Sequence, residues 1–473
     1  MNITGFGYLV FLIVVLGAHH LLQGRHTAQK WLLIAASYYF YATVDWRFCG
    51  LLLGLTLINY AAGSLVARAG SSVIARRAIA AAVLFSIGLL CYFKYLNFFG
   101  AMVNSVTAWL GAGSLVPFVN ILLPVGISFM TFQAITYPID LYAKQLDQPC
   151  SLVDFALFIA FFPRLLSGPI VTAAYFLPQL RTQAPRVSHE QRFEGLVLIL
   201  RGLVKKVLIA DTLGATLVEP AFAHPDAFAS PFLWLALFGY SFQVYLDLSG
   251  YTDMARGAAY MLGYRLPVNF NRPYMATSIA NFWQRWHITM SSFFRNYLYA
   301  PLTRAGYASI YLNLLIVFVA IGLWHGAGWN FVVYGLIHGS LVAWGHFAGE
   351  RRARSGLSVP VYRGGRLALR IAAVFVVVVL TRILFRSTDL TAAAQFAGAL
   401  FRSVQGSFPV SATGLAALAA AAALHFTPVQ WRDRMMAYTQ ARPAWMLGIV
   451  FVMTMYMVMA MTRGSGGFIY FQF

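Results

Sequence analysis

Three of the chain's ten histidines stand where an imidazole is costly to place. His325 closes an unbroken apolar run from Leu314 to Trp324, within Gly322-Leu323-Trp324-His325-Gly326. His338 follows thirteen residues later, in Gly335-Leu336-Ile337-His338-Gly339. His287 ends Phe282-Trp283-Gln284-Arg285-Trp286-His287, on a face rich in aromatic side chains. An ionisable side chain inside an apolar segment is a functional-site hypothesis by default. Imidazole suits general-base work near neutral pH, and a hydroxyl is a poor nucleophile until a base removes its proton. Activation of an alcohol is the chemistry these positions would serve.

Other chemistries find little support. The three histidines are not joined by an HExxH pattern or by carboxylates at ligand spacing, so no metal site is expected. There is no G-x-S-x-G nucleophile motif, no P-loop and no dinucleotide fingerprint. On one straight helix, the thirteen-residue interval between His325 and His338 would rotate the two by about 220° and separate them by roughly 20 Å. They share a site only if the helix breaks, which Gly326, Gly328 and Asn330 permit. The remaining histidines read as surface or capping residues: His19, His20 and His26 beside the first apolar segment, His189 and His224 in polar loops, His346 and His425 near segment ends.

The elements that must carry these residues are membrane helices. The 473-residue chain is 60% hydrophobic and 10% charged, with a mean hydropathy of +0.69, whereas soluble domains carry about 25% charged residues. A spanning helix needs about 20 apolar residues, and the cores of about a dozen such segments recur along the chain. The clearest are Ala78–Tyr92, Phe232–Leu246, Tyr311–Trp324, Ile371–Leu380 and Trp445–Met461. Shorter or weaker ones are Phe6–Leu22, Trp31–Thr43, Leu51–Ala67, Val119–Tyr137, Leu152–Phe162 and Leu415–Leu424, with Phe193–Ile209 interrupted by Arg201, Lys205 and Lys206. Several suit tilted or re-entrant helices. The fold class expected is an all-α polytopic membrane protein.

The first segment lacks a basic n-region and a small-residue cleavage pattern, so it is expected to remain as an anchor. Arg25, His26 and Lys30 place its C-terminal end in the cytoplasm. The net charge of +20 sits largely in loops, as at Arg68, Arg76 and Arg77, at Arg351, Arg352 and Arg354, and at Arg432 and Arg434. That distribution fits orientation and contact with anionic lipids and not a nucleic-acid partner. Cys49, Cys91 and Cys150 have no paired spacing and read as small apolar fillers.

A single membrane domain is expected over 1–473, with spans in 1–115, a core in 116–350 and further spans in 351–473. Within the core, Phe161-Phe162-Pro163-Arg164-Leu165-Leu166-Ser167-Gly168-Pro169-Ile170 cannot continue a regular helix. It is either a surface loop or irregular backbone buried in protein. From Tyr251 to Arg304 there are six arginines and one aspartate, which assigns the stretch to the cytoplasmic side. Within it Trp283, Trp286, His287, Met290 and Phe294 recur at helical spacing, so an amphipathic helix is expected, at the interface or dipping into a cavity.

Taken together, these residues resemble the membrane-bound O-acyltransferase family, nearest its bacterial branch of alginate O-acetylation and teichoic-acid D-alanyl transfer. The resemblance runs through Tyr38-Tyr39-Phe40-Tyr41, Gly126-Ile127-Ser128-Phe129, Phe162–Ile170 and Lys205-Lys206-Val207-Leu208-Ile209-Ala210-Asp211. It is densest at Tyr240–Tyr245, Asp247–Tyr251, Asn269–Tyr274, Phe282–His287 and Trp324-His325-Gly326, and ends in Phe468-Ile469-Tyr470-Phe471-Gln472-Phe473. The opening Met1-Asn2-Ile3-Thr4-Gly5 departs from the Phe-Ser-Ser start of many alginate-branch members, which leaves the polysaccharide open.

The resemblance implies a ring of spanning and re-entrant helices around a tunnel, with His325 as the catalytic histidine and His287 as a second functional residue. Trp283, Trp286, Arg285, Asn281, Trp324 and His338 are the candidates for holding substrate or donor. The implied reaction passes an acetyl group from a cytoplasmic thioester, acetyl-coenzyme A, toward an extracytoplasmic polysaccharide, directly or through an extracytoplasmic acyltransferase partner. No resident cofactor is implied. D-alanyl transfer to teichoic acid and peptidoglycan O-acetylation are the enzymatic alternatives. A transporter or a structural subunit of a polymer-export complex is the non-enzymatic one. The compartment implied is the bacterial cytoplasmic membrane.

Overall fold

The computed structural model describes residues 3–182, 187–358, 360–402, 406–428, 430, 431, 434, 437, 438, 442 and 444–461. The C-terminal Phe468–Phe473 run, Met1, Asn2 and Arg432 lie outside the described residues. In chain order the helices are α1 (Phe6–Leu21), α2 (His26–Asp45), α3 (Phe48–Arg68), α4 (Ser72–Trp109), α5 (Ile127–Tyr142), α6 (Leu152–Ala160), α7 (Ala173–Arg181), α8 (His189–Leu203) and α9 (Glu219–Ala223). They continue with α10 (Ser230–Met261), α11 (Ile279–Arg285), α12 (Ile288–Phe294), α13 (Ala300–Ala305), α14 (Ile310–His325), α15 (Trp329–Arg354), α16 (Gly364–Arg386), α17 (Leu390–Leu400), α18 (Ala412–Phe426) and α19 (Ala444–Met461).

The protein is all-helical and polytopic. Helices α3, α4, α15 and α16 are long and apolar enough to cross a membrane, while α1, α14, α17 and α18 are apolar but shorter. Their outward faces carry large apolar side chains such as Ile13, Leu84, Trp344 and Leu369, a surface suited to lipid tails. The apolar segment expected at Val119–Tyr137 is shorter than its hydropathy suggests. Gly126 adopts a left-handed conformation with φ of 79°, and the helix starts only after it, at Ile127. The interrupted segment 193–209 is helical to Leu203 and then π-helical over Val204–Asp211. There Lys206 bridges Asp211 at 2.7 Å and Asp247 at 2.6 Å, so its charge is met inside the protein.

The chain packs as two compact units, one of residues 1–199 with 252–267 and the other of 200–251 with 268–473. In the first, the proline-rich loop is interior. Every residue from Phe161 to Ile170 is buried, which excludes the surface-loop alternative. The guanidinium of Arg164 donates to the Gln133 side chain and the Phe158 carbonyl and lies over the Phe158 and Phe176 rings at 4.9 and 5.1 Å. Irregular backbone is tolerable here because protein covers it.

In the second unit, α14 and α15 form an antiparallel hairpin. Tyr311, near its open end, donates to Glu350 at 2.8 Å. Midway, the backbones nearly touch. A Cβ on Gly322 would stand 2.2 Å from the Phe331 carbonyl oxygen, and one on Gly335 would stand 2.4 Å from that of Phe318. Small residues let helices approach this closely in lipid, where no hydrophobic force drives them together. Replacing Gly335 with Val is expected to force the hairpin apart at a cost of about 2 kcal/mol or more. The measurement is thermal unfolding of purified protein in detergent. An unchanged midpoint would show that the seam is loose.

Candidate functional site

The hairpin decides where His325 sits. It is the last residue of α14, and Gly326 and Gly328 on either side of Ala327 are extended, so the chain reverses before α15 begins at Trp329. Asn330 ties the reversal to the end of α16, donating to the carbonyls of Leu384 at 3.1 Å and Ser387 at 2.9 Å. The helix break that the glycines and Asn330 permit is therefore real. His325 is 4% exposed. Its ring meets those of Trp324 at 4.8 Å, Phe385 at 4.9 Å and Tyr334 at 6.5 Å.

His287 reaches the same block from a different direction. The single amphipathic helix expected through residues 283–294 does not exist. Helix α11 ends at Arg285, Trp286 is extended, and His287 is left-handed at φ 45°, ψ 53°, before α12 starts. A non-glycine residue in that region is strained and persists only where its surroundings impose it. Here Asn269 imposes it. Its carbonyl accepts from Ile288 N at 2.9 Å, and its side-chain oxygen accepts from the amide and hydroxyl of Thr289 at 3.1 and 2.9 Å. Asn271 N donates to the Arg285 carbonyl at 2.9 Å. The segment 269–271 thus runs beside 285–289 and holds the corner open. Aromatic periodicity continued across the corner, so spacing alone predicted one helix.

The corner aims His287 inward, fully buried. Its ring lies 5.7 Å from that of Trp324 and 6.0 Å from that of Phe270. Burial pushes the His287 imidazole down to about 3, so it is neutral at physiological pH. Trp324 is the common neighbour of His287 and His325.

His338 is different in kind. Its Nδ1 accepts from the Trp283 indole N–H at 3.3 Å, and its Nε2 lies 3.0 Å from the Thr381 hydroxyl. That hydroxyl spends its own proton on the Val378 carbonyl at 2.8 Å, so it accepts from Nε2–H. Both nitrogens of a neutral imidazole are satisfied. Tyr334 joins this residue to the other site, its ring 4.4 Å from His338.

Of the remaining candidates, Trp283, Trp286 and Trp324 belong to the buried aromatic block. Asn281 and Arg285 do not. Arg285 donates to the Asn281 side chain at 3.0 Å and the Asn271 carbonyl at 3.3 Å, and Asn281 donates to Gln284 at 3.2 Å. They form a half-buried latch on α11, with no hydrogen bond to the three histidines. Among the described residues, no group of three His, Cys, Asp or Glu side chains is placed to hold a metal.

Sequence reasoning missed three residues. Arg382, 1% exposed on α16, lays its guanidinium 4.3 Å from the Trp286 ring centre and 5.3 Å from that of Phe385. A lone arginine just past Ile371–Leu380, followed by Ile383-Leu384-Phe385, was the available signal. Asn269 opens one of the motifs that carry the family resemblance, but its clamping role gave no signal, because its partner Thr289 is twenty residues away. His425 is buried at 2% exposure against Tyr245 and Tyr274, with ring distances of 5.0 and 5.1 Å, which corrects its reading as a surface or capping residue. His19 is likewise buried.

The family model described as membrane-bound O-acyltransferase matches residues 33–365. A probable alginate O-acetylase AlgI of Azotobacter vinelandii is 37% identical over 397 residues, 83% of this chain and 76% of its own. A peptidoglycan O-acetyltransferase of Helicobacter pylori is 35% identical over 334 residues, 65% of this chain and 62% of its own. A teichoic acid D-alanyltransferase of Bacillus subtilis is 28% identical over 235 residues, covering 47% and 59%.

The geometry separates scaffold from chemistry by substitution. His338→Ala leaves the buried Trp283 N–H unsatisfied and is expected to cost about 2 kcal/mol in thermal unfolding. Glycine adopts the φ of residue 287 without strain, so His287→Gly is expected to fold as well as the parent while losing roughly 10²-fold in turnover. Parental turnover in that variant would show the left-handed corner to be architecture alone.

Proposed function

Because this chain belongs to the membrane-bound O-acyltransferase family, we propose that His325 is its general base and that the reaction is O-acetylation of an extracytoplasmic polysaccharide. The chain is an O-acyltransferase of the membrane. The donor, the acceptor and the residue roles are the proposal. One observation carries it. His325 and His287 come from separate elements, each at a break in a helix, to within 4.8 and 5.7 Å of the Trp324 ring.

In the proposed step, His325 takes the proton of an acceptor hydroxyl as its oxygen attacks the thioester carbonyl. The tetrahedral intermediate collapses with loss of the thiolate, which takes the proton back from the imidazolium. His287, neutral and held rigidly at its corner, orients the reacting groups by hydrogen bonding. The donor is acetyl-coenzyme A, entering from the cytoplasmic side near the arginine-rich 251–304 stretch. The acceptor is the glycan or a hydroxyl of an extracytoplasmic partner that completes transfer to the polymer. The compartment proposed is the bacterial cytoplasmic membrane, which separates a soluble thioester pool from exported polymer.

Two considerations favour acetyl over D-alanyl. The alginate O-acetylase relative is 37% identical across 83% of the chain, whereas the D-alanyltransferase relative is 28% identical across 47%. Alginate or a similar exopolysaccharide is accordingly the acceptor class proposed ahead of peptidoglycan.

The test is thiol release from acetyl-coenzyme A by protein in detergent or vesicles, beside a D-alanyl carrier thioester. His325→Ala is expected to lower turnover by roughly 10³-fold with the unfolding midpoint retained. Turnover undiminished by that change would remove His325 from the chemistry, and preference for the D-alanyl donor would overturn the acetyl assignment.

A further inference from the structure

A second polar site lies in the first unit, apart from the acyl-transfer residues. A cavity of about 250 Å³ opens where α1 turns into α2, lined among others by His19, His20, Gln23, Gln29, Arg192 and Met261. Its wall holds a buried ring nitrogen without a partner. His19 is 6% exposed, and its Nε2 has no hydrogen-bond partner. Gln29 fixes the corner from behind, donating to the His19 carbonyl at 3.1 Å. His20 and Arg192 stand exposed at the rim. Among the described residues, no carboxylate lines the cavity. A pocket of imidazole, amide and guanidinium groups without a counter-charge is built for an anion.

The neighbourhood says which anion. One side of α1 is exposed and apolar, with Phe6, Ile13, Val14 and Leu21 each more than half accessible, so acyl chains can lie along it. Lys30 is buried against Asp154, and the exposed Arg25 before α2 favours the cytoplasmic leaflet for this end. Basic pockets between spanning helices on that side suit anionic lipid headgroups. We propose that the cavity holds the phosphate of an anionic phospholipid of the cytoplasmic leaflet, with His19 Nε2–H donating to a phosphate oxygen and Arg192 and His20 closing over it. The site stands independently of the acyl-transfer reading, because none of its residues belongs to that machinery.

The experiment is native mass spectrometry of the full chain in detergent, with dioleoylphosphatidylglycerol or dioleoylphosphatidylcholine added. Phosphatidylglycerol is expected to be retained preferentially. The double variant His20→Gln, Arg192→Gln, altering two exposed side chains, is expected to lower that retention roughly fivefold without moving the unfolding midpoint in lipid-free detergent. Equal retention of both lipids, or unchanged retention in the variant, overturns the proposal. Displacement of bound phosphatidylglycerol by inorganic phosphate or coenzyme A would show the cavity to serve a soluble phosphate, and overturns the lipid assignment.

Discussion

The seam at Gly322 and Gly335 is the constraint on which the rest of the candidate site depends. Two apolar helices gain no hydrophobic energy by meeting in lipid. They stay together only through close packing and through what their ends can bond. Because neither glycine carries a side chain, carbonyl and Cα surfaces meet directly, and the reversal at 326–328 is pinned in register. That register places Phe331 beneath Gly326, Tyr334 beside His325, and His338 within reach of Trp283. A wider hairpin would give all three a different neighbour.

Around that hairpin the polar side chains fall into two kinds. His338 is a hydrogen-bond node between Trp283 and Thr381, and a node with both nitrogens engaged locks a tautomer and stiffens its surroundings. Arg382 is a buried cation over Trp286 and Phe385, and its planar face packs against aromatic rings as an ammonium would not. These groups fix the floor of the block. His287 and His325 sit at chain breaks instead, where neighbouring backbone is not committed to a helix. The strained corner at His287 makes the same point in energetic terms. A left-handed histidine is unfavourable, and the hydrogen bonds of Asn269 offset that cost.

What was legible in the sequence follows from how local its cause is. The apolar run ending in Trp324-His325-Gly326 announced both a membrane helix and its termination, because hydropathy and glycine act within a few residues. The interior placement of 161–170 was half legible, since proline spacing excludes a helix but says nothing of what covers the loop. The corner at His287 was illegible for a definite reason. Its neighbours keep helical spacing on both sides, and the clamp comes from Asn269, whose pairing with 288 and 289 is tertiary. The burial of Arg382, and of His19 and His425, which read as surface or capping residues, was illegible likewise, because burial of a residue at a segment end depends on what packs over it.

The two ends of the hairpin carry a consequence for direction. Arg304 precedes α14 and Arg351, Arg352 and Arg354 close α15, so positive charge gathers at the hairpin's open end, the pattern that the positive-inside rule associates with the cytoplasmic face. Sixteen helical residues then carry the chain about 24 Å inward before it turns at His325, most of the way across a hydrocarbon core of about 30 Å. On the proposed reading, a base at the turn is far from the aqueous phase its own helix started in. The proposed thioester donor would then reach it on an extended, narrow arm, and pantetheine is such an arm. The proposed acceptor, coming from the opposite side, would have the shorter approach. The hairpin's length thus accords with the proposed division of labour, the flexible substrate entering from within and the bulky one staying outside.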